Sequence, residues 1–499
     1  MSELSPEQKY AFSKFTKGEN LFITGPGGTG KTHLIKHLVR FAKNNDKRVD
    51  VCAMTGCAAV LLNCNATTIH SWSGIKIAKG TKESIISGVL RNKVAMKSWK
   101  KSNILIIDEI SMLSKKIFGV LEETARIVRK SSLPFGGLQI VFCGDFFQLP
   151  PIGTEGEPET EEFCFESPQW GRVFKPENMI ELTTIFRQHG DPIYRNILNQ
   201  VRKGELDEEN KCILQSYVGR IYNPDENNGC VPTKLFALRS KTDYVNNMMY
   251  SKLNEREHVF EFLRKTNCAV YLNEGSSPIE YDILKRCSQM SSDETESEIK
   301  LMVQNIPVTQ VLRLKKGCAV MCTVNLDMAQ SICNGSQGVV IDFIENVKPQ
   351  GGKIWLPLVR FSNGVTKLIE QYSWQSEISP NICVSQIPLC LAWALTIHKI
   401  QGSTLSIAEI DVGHSIFEYG QTYVALSRVE SLFGLYLSSF HAQKIKANPK
   451  VLAFYMTIPK NRDYTVDTAT ETSTSTNGFD DFAYTGGGGD NQAVKIIKL

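Results

Sequence analysis

A chain of 499 residues, 42% apolar and 22% charged, with a net charge of +4, is ordinary globular material long enough for several domains. It is too weakly basic for charge alone to specify a nucleic acid, and no apolar run is long enough to cross a bilayer, so no membrane partner is expected. Its 14 cysteines form no CxxC pair, and the closest two, Cys318 and Cys322, have no histidine at zinc spacing. They read as reduced thiols of an intracellular protein, and Met1–Glu7 has the pattern of neither a secretory signal nor a transit peptide.

Taken in chain order, the first feature is Leu4-Ser5-Pro6-Glu7-Gln8. The Gln8 amide has the donor and acceptor an adenine edge requires, although a lone glutamine is more often simply solvated. The apolar run Asn20–Thr24 predicts a strand, and Leu34, Ile35, Leu38 and Val39 predict a helix. Between them stand Gly25, Pro26, Gly27, Gly28, Thr29, Gly30, Lys31 and Thr32. A glycine loop from strand to helix lets backbone N–H groups close on a polyphosphate, where the helix terminus adds partial positive charge. Lys31 is then placed for the β- and γ-phosphates and the Thr32 hydroxyl for magnesium.

Further buried strands are predicted at Val49–Met54, Ile104–Ile107 and Gln139–Cys143, and a helix at Ser114–Val128. This alternation predicts an α/β domain with a parallel sheet and its ligand at the carboxyl ends of the strands. The basic stretch Gly74–Lys101 interrupts it as a small insert. Asp108 and Glu109 follow the strand Ile104–Ile107, Asp108 facing the metal and Glu109 orienting and deprotonating a water. Gly144–Pro151 follows the strand Gln139–Cys143 and carries Gln148, a candidate sensor of the γ-phosphate.

A second α/β region is expected from Glu181, with a strand at Lys234–Leu238 and a return at Leu389–Ser438. Arg187 and Arg428 lie in it, and a guanidinium reaching the γ-phosphate accelerates transfer by about 10³–10⁵. Leu312–Phe343 and Ile354–Phe361 alternate as β-strands of an inserted barrel. The acidic Ser291–Glu298 reads as a loop, and the Thr-, Ser- and Gly-rich tail after Asn461 as disordered, Ala493–Leu499 being a frayed end or a short docking peptide.

With these segments in this order, the chain resembles the petite-integration-frequency (Pif) DNA helicases of superfamily 1B over residues 4–458. The resemblance rests on the glycine loop, Thr55–Ala59, Thr68–Ser71, Asp108–Met112, Gly144–Pro151, Phe186–Gln188, Asn334–Gly338, Trp393–Gly402 and Tyr423–Arg428. Leu121–Arg126 with Pro134–Gly137 looks like the signature separating this family from its RecD-like relatives. The chain departs at Ala237–Ser240, where the family often carries an asparagine, and at Ile400, where it usually carries a serine.

The resemblance implies a monomeric motor with two RecA-like (P-loop) domains: 1–180 with a wedge insert at 74–101, and 181–254 with 389–460. An SH3-like β-barrel insert would occupy 255–388, and a disordered tail 461–499. It implies ATP and Mg²⁺ as cofactors and 5′-to-3′ movement on single-stranded and forked DNA, with quadruplex DNA or RNA–DNA hybrid as further partners and the nucleus or a viral replication site as location. In it Gln8 would read adenine. Lys31, Thr32, Asp108, Glu109, Gln148, Arg187 and Arg428 would hydrolyse ATP, with Gln401 and Gly402 beside them. Thr55, Gly56, His70, Thr396 and His398 would contact DNA. For the two histidines a structural role is an equal reading. Remodelling of protein–DNA complexes without strand separation, or movement on RNA, would use the same catalytic residues.

Overall fold

The computed structural model describes residues 4–62, 64, 66–76, 78–188, 190–223, 231–266, 270–272, 291–306, 308–327, 330–347, 353–376, 381–460 and 495–497. The first sheet contains β1 (Leu21–Thr24), β2 (Val49–Ala53), β3 (Thr67–Thr68), β4 (Ile104–Asp108), β5 (Gln139–Cys143) and β6 (Met179–Glu181). All pair parallel, in the order β3-β2-β4-β5-β1-β6. Alternate residues of the same apolar run feed opposite faces. Leu21, Ile23, Ile104, Ile106 and Val141 enter one core with the helices Pro6–Thr16 and Lys31–Asn44. Phe22, Leu105, Ile107, Ile140 and Phe142 enter the other with the helix Lys115–Arg129. Strands clad on both faces cannot alternate polar with apolar, which is why they read as unbroken hydrophobic words.

The second core continues into a four-stranded parallel sheet ordered Ala394–Thr396, Thr233–Phe236, Ala408–Val412 and Leu435–Phe440. The basic insert folds as two helices, Lys82–Arg91 and Lys93–Lys101. Trp99 anchors them: it is fully buried, and its indole N–H donates to the Ser73 carbonyl at 3.1 Å.

The segment inserted in the second sheet is antiparallel. Its largest sheet is ordered Thr366–Leu368, Lys353–Phe361, Gln337–Val347, Ala319–Cys322 and Leu389–Leu391, around Leu314, Val320, Val340, Val359 and Phe361. Smaller pairings join Tyr372–Gln375 to Cys383–Gln386 and Leu263–Lys265, and His258–Glu261 to Val311–Leu314.

Several sequence expectations need correction. Leu389–Leu391 belongs to the inserted sheet, so the return to the second parallel sheet comes at Ala394. Met179–Glu181 pairs with β1, so the first sheet reaches past residue 180. The helix Pro449–Met456, assigned from sequence to the second domain, docks on the first. Phe454 stacks on Phe165 with centroids 4.3 Å apart and meets Trp170 edge-on, and the Tyr455 hydroxyl bonds Thr24 Oγ1 at 2.5 Å. The acidic loop expected at Ser291–Glu298 is instead the start of a helix, Ser292–Asn305. Ser291 caps it: its hydroxyl accepts from the Glu294 N–H at 3.2 Å while Glu294 accepts from the Ser291 N–H at 3.0 Å. Within the tail expected to be disordered, Lys495–Ile497 pairs antiparallel with Val270–Leu272; residues 461–494 and 498–499 lie outside the described residues.

Candidate functional site

The glycine loop leaves β1 and is wedged between chain segments. A Cβ on Gly28 (φ +86) would stand 2.6 Å from the Arg187 Cβ, and one on Gly25 (φ +143) would strike the Leu182 carbonyl. Gly30 (φ +77) opens the helix Lys31–Asn44 with no side-chain cap, so its first N–H groups stay available to an anion. The loop borders a cavity of about 380 Å³ whose wall includes Gly27–Thr32, Asp108, Glu109, Gln148, Phe186, Arg187, Gly402 and Arg428. Within the loop, Lys31 Nζ donates to the carbonyls of Gly25 at 2.7 Å and Pro26 at 2.9 Å. Gln8 is only 1% exposed. Its amide donates to the Thr29 and Gly30 carbonyls at 3.2 and 3.3 Å and accepts from the Ser5 N–H at 3.0 Å, so a base edge reaches it only in exchange for these bonds.

Asp108 ends β4 and is 7% exposed. Burial, and then the charge of Glu109 beside it, pushes its carboxyl up to about 7. Glu109 sits in the left-handed region (φ 54, ψ 42), a conformation that costs a non-glycine residue about 1–3 kcal/mol and that clusters at functional sites. Gln401 spans both acceptors of this wall, its amide donating to Glu109 Oε2 at 3.0 Å and to Gln148 Oε1 at 3.4 Å. Gly402 lies alongside, 3.6 Å from Glu109 Oε1 as measured from an ideal Cβ.

The two arginines arrive by different routes. Arg428 follows the helix Gln421–Leu426 of the second domain and is 2% exposed. Its guanidinium donates to the carbonyls of Val424 at 2.9 Å and Ser403 at 3.2 Å and to Ser427 Oγ at 2.8 Å. Arg187, expected from sequence in the second α/β region, instead hangs on the first. It follows β6, and the N–H groups of Phe186 and Arg187 donate to the Gly28 carbonyl at 2.8 and 3.4 Å. Its side chain crosses to the Ser427 carbonyl at 3.4 Å. Burial, then Arg187, lowers the Arg428 guanidinium to about 10, and burial likewise lowers Arg187. Two crowded cations facing two crowded carboxylates fit a bound polyphosphate and a divalent ion, each of which relieves one like-charge pair.

The five residues expected on DNA stand at carboxyl ends of strands. Thr55 and Gly56 follow β2, the Thr55 hydroxyl accepting from the Ala58 N–H at 3.2 Å. His70 lies in the helix Ile69–Ser73 after β3, with burial lowering its imidazole. Thr396 ends the edge strand of the second sheet, its hydroxyl accepting from the Lys399 N–H at 3.3 Å, and His398 follows in the turn.

Sequence reasoning missed Tyr423, whose hydroxyl accepts from the Gly27 N–H at 2.9 Å across the cleft. It also missed Arg202, which pairs with Asp145 of the Gly144–Pro151 segment, and Gln337, whose amide donates to Thr233 Oγ1 at 2.8 Å and the Ile407 carbonyl at 2.9 Å. Tyr423 and Gln337 stood inside quoted motifs, but nothing in their spacing disclosed a partner. The signature helix has a structural role: Arg129 donates to the carbonyls of Gly136, Trp99 and Ser102 at 2.9, 3.0 and 3.0 Å.

The PIF1-like helicase family model matches residues 3–226, and that of the DNA helicase Pif1 2B domain matches residues 299–343. The crystal structure of Pif1 helicase from Candida albicans superposes with a TM-score of 0.70 at 32% identity, covering 92% of this chain and 100% of that one. The chain belongs to the PIF1-like helicase family. Among its relatives, ATP-dependent DNA helicase PIF1 of Xenopus laevis is 35% identical over 462 residues, 92% of this chain, which spans 65% of that protein's length. A Pif1 helicase from Bacteroides, solved with ADP-AlF3 and single-stranded DNA, is 26% identical with a TM-score of 0.58, covering 91% of this chain and 97% of that one. Family membership agrees with two RecA-like parallel sheets, one bearing the glycine loop and the other carrying the 2B segment.

Proposed function

We propose that this chain is an ATP-dependent DNA helicase that moves 5′ to 3′ on single-stranded DNA and opens forked duplexes. The observation that carries the reading is the shared cavity: glycine loop, acid pair and Arg187 on one side, Arg428 and Gly402 on the other. A nucleotide held there touches both lobes, so gaining or losing its γ-phosphate changes the force between them. Domain boundaries are proposed accordingly. One lobe runs from residue 1 through β6, with the wedge at 74–101, and includes the helix Pro449–Met456. The other is built around the second sheet and carries the antiparallel insert. Since one chain supplies both sides of the cavity, a monomer suffices.

In this mechanism Lys31 exchanges its loop carbonyls for β- and γ-phosphate oxygens, while the uncapped helix N–H groups hold the remainder. Thr32 and Asp108 would hold magnesium, which supplies charge neutralisation on the phosphates. Glu109 orients the attacking water and accepts its proton; Gln401 fixes the Glu109 carboxylate and joins it to Gln148. Arg187 and Arg428 stabilise negative charge on the transferring group. Thr55, Gly56, His70, Thr396 and His398 offer contacts to phosphate and sugar that carry no sequence information, as a moving motor requires.

The test compares ATP hydrolysis and strand separation on 5′-tailed and 3′-tailed duplexes with DNA and RNA tails. Unwinding of 5′-tailed DNA with DNA-stimulated hydrolysis is expected. Hydrolysis without strand separation would favour a protein-stripping translocase, and activity on RNA tails alone would move the track to RNA.

A further inference from the structure

The helix Lys31–Asn44 turns Leu34, Ile35, Leu38 and Val39 into the core and leaves His33 and His37 half-buried at its side. The two histidines stand four residues apart, one turn above the other, so their side chains meet. The meeting is close: the two Nε2 atoms lie 3.1 Å apart, with ring centroids at 4.6 Å and planes inclined by 63°. At that distance one Nε2–H donates to the lone pair of the other ring.

Two imidazole nitrogens so placed also suit a metal ion. With Zn–N bonds of about 2.0–2.1 Å, a separation of 3.1 Å sets an N–metal–N angle of about 95–102°, between the square and tetrahedral values. To bind, the donating ring moves its proton to Nδ1, and each ring turns slightly about its soft χ2 to aim its lone pair at the ion. No proton leaves the pair and nothing is oxidised. The spacing of His33-Leu34-Ile35-Lys36-His37 is the one by which two histidines on a helix face hold zinc. Leu34 stands where the hydrolytic form of that motif has its glutamate, so the site binds without a general base. Among the described residues no third histidine, cysteine or carboxylate completes it, which leaves the remaining positions to water. The helix N-terminus and the exposed Lys36 and Arg40 oppose a cation, so the chelate rather than charge supplies the affinity.

We propose that His33 and His37 form a bidentate site for a divalent transition metal of the Zn²⁺, Ni²⁺ and Cu²⁺ class. Imidazole selects these ions over Mg²⁺, which keeps to oxygen ligands. The nucleotide cavity is lined from this helix by Lys31 and Thr32, so the new site is separate from it and does not depend on the motor reading. A bound ion would tie together the first two turns of the helix behind the glycine loop.

The experiment titrates the full chain with Ni²⁺ by calorimetry, a phosphine reductant keeping the cysteines reduced, beside H33Q, H37Q and the double variant. Wild type should bind one equivalent more than H37Q. H33Q and the double variant should lose that same equivalent, since a chelate needs both rings. Losses that add from the single variants to the double, or no loss at all, overturn the assignment. The unmutated chain gives a second reading. Ni²⁺, but not Mg²⁺, should shield both imidazoles from diethyl pyrocarbonate, read from the mass of the peptide that carries them. Modification at the same rate with and without Ni²⁺ overturns the site as well.

Discussion

Asp145 and Arg202 form a bidentate ion pair sealed from solvent between the two lobes. Nε and Nη2 of the guanidinium each lie 3.0 Å from a carboxylate oxygen, with Asp145 at 0% and Arg202 at 5% exposure. The Tyr455 hydroxyl donates to the same carboxylate at 3.1 Å, and the guanidinium lies over the Phe147 ring at 4.5 Å. The segment carrying Gln148 is thus tied to the helices Pro192–Lys203 and Pro449–Met456. Arg202→Ala strands a buried carboxylate and is expected to destabilise the fold by about 3–5 kcal/mol, read from chemical denaturation. Arg202→Ala with unchanged stability would remove the pair from the list of structural ties.

Lys31→Ala deletes the one flexible cation of the glycine loop. The expected loss in kcat for ATP hydrolysis is about 10²–10³, the range for removing one preorganised donor to developing charge. Steady-state phosphate release in saturating DNA checks it.

Arg187→Ala removes a guanidinium that holds the Ser427 carbonyl by one long hydrogen bond of 3.4 Å, so little folding free energy is at stake. The expected fall in kcat is about 10³–10⁵, with nucleotide still bound. Equal hydrolysis in variant and wild type would leave Arg428 as the sole candidate for this role.

Glu7 accepts hydrogen bonds from Thr183 at 2.5 Å and Ser5 at 2.7 Å, and from Thr184 at 3.3 Å. Burial pushes its carboxyl up, but the bonds from Thr183, Ser5 and Thr184 outweigh that and hold it below its ordinary value of 4.5. A depressed folded pKa means stabilisation that is full above the unfolded pKa and lost as pH falls through the folded one. Thermal unfolding of wild type should therefore show a decline below about pH 4.5 that is shallower in Glu7→Gln.

Gln337 is 3% exposed and fastens the inserted sheet to the second parallel sheet. Besides donating to Thr233 and Ile407, its amide oxygen accepts from Ser406 Oγ at 3.1 Å. Gln337→Ala takes its partner from the buried Thr233 hydroxyl and Ile407 carbonyl, and a loss of about 1–3 kcal/mol is expected in equilibrium unfolding.

The motifs were legible because their chemistry is local. A glycine loop needs its residues in one order on eight consecutive positions, and Asp108-Glu109 need only the end of one strand. The helix at Ser292 was legible too, in Ser291-x-x-Glu294, but its acidic composition obscured a capping box. What escaped was partnership across long separations: Tyr423 with Gly27, Tyr455 with Thr24 and Asp145, Arg129 with three carbonyls.

The sequence by itself determined the parallel α/β fold, the phosphate loop, the acid pair and the identity of both arginines, since each is written in periodicity or in contiguous residues. Only the tertiary structure decided that Arg187 hangs from the first lobe, that the helix Pro449–Met456 returns to that lobe, and that His398 faces Phe417. The reason is physical: one strand-length of backbone sets what neighbours in sequence do. Which distant surfaces meet depends on the summed burial of apolar faces, and Phe454 reveals its place only when Phe165 and Trp170 are already there to receive it.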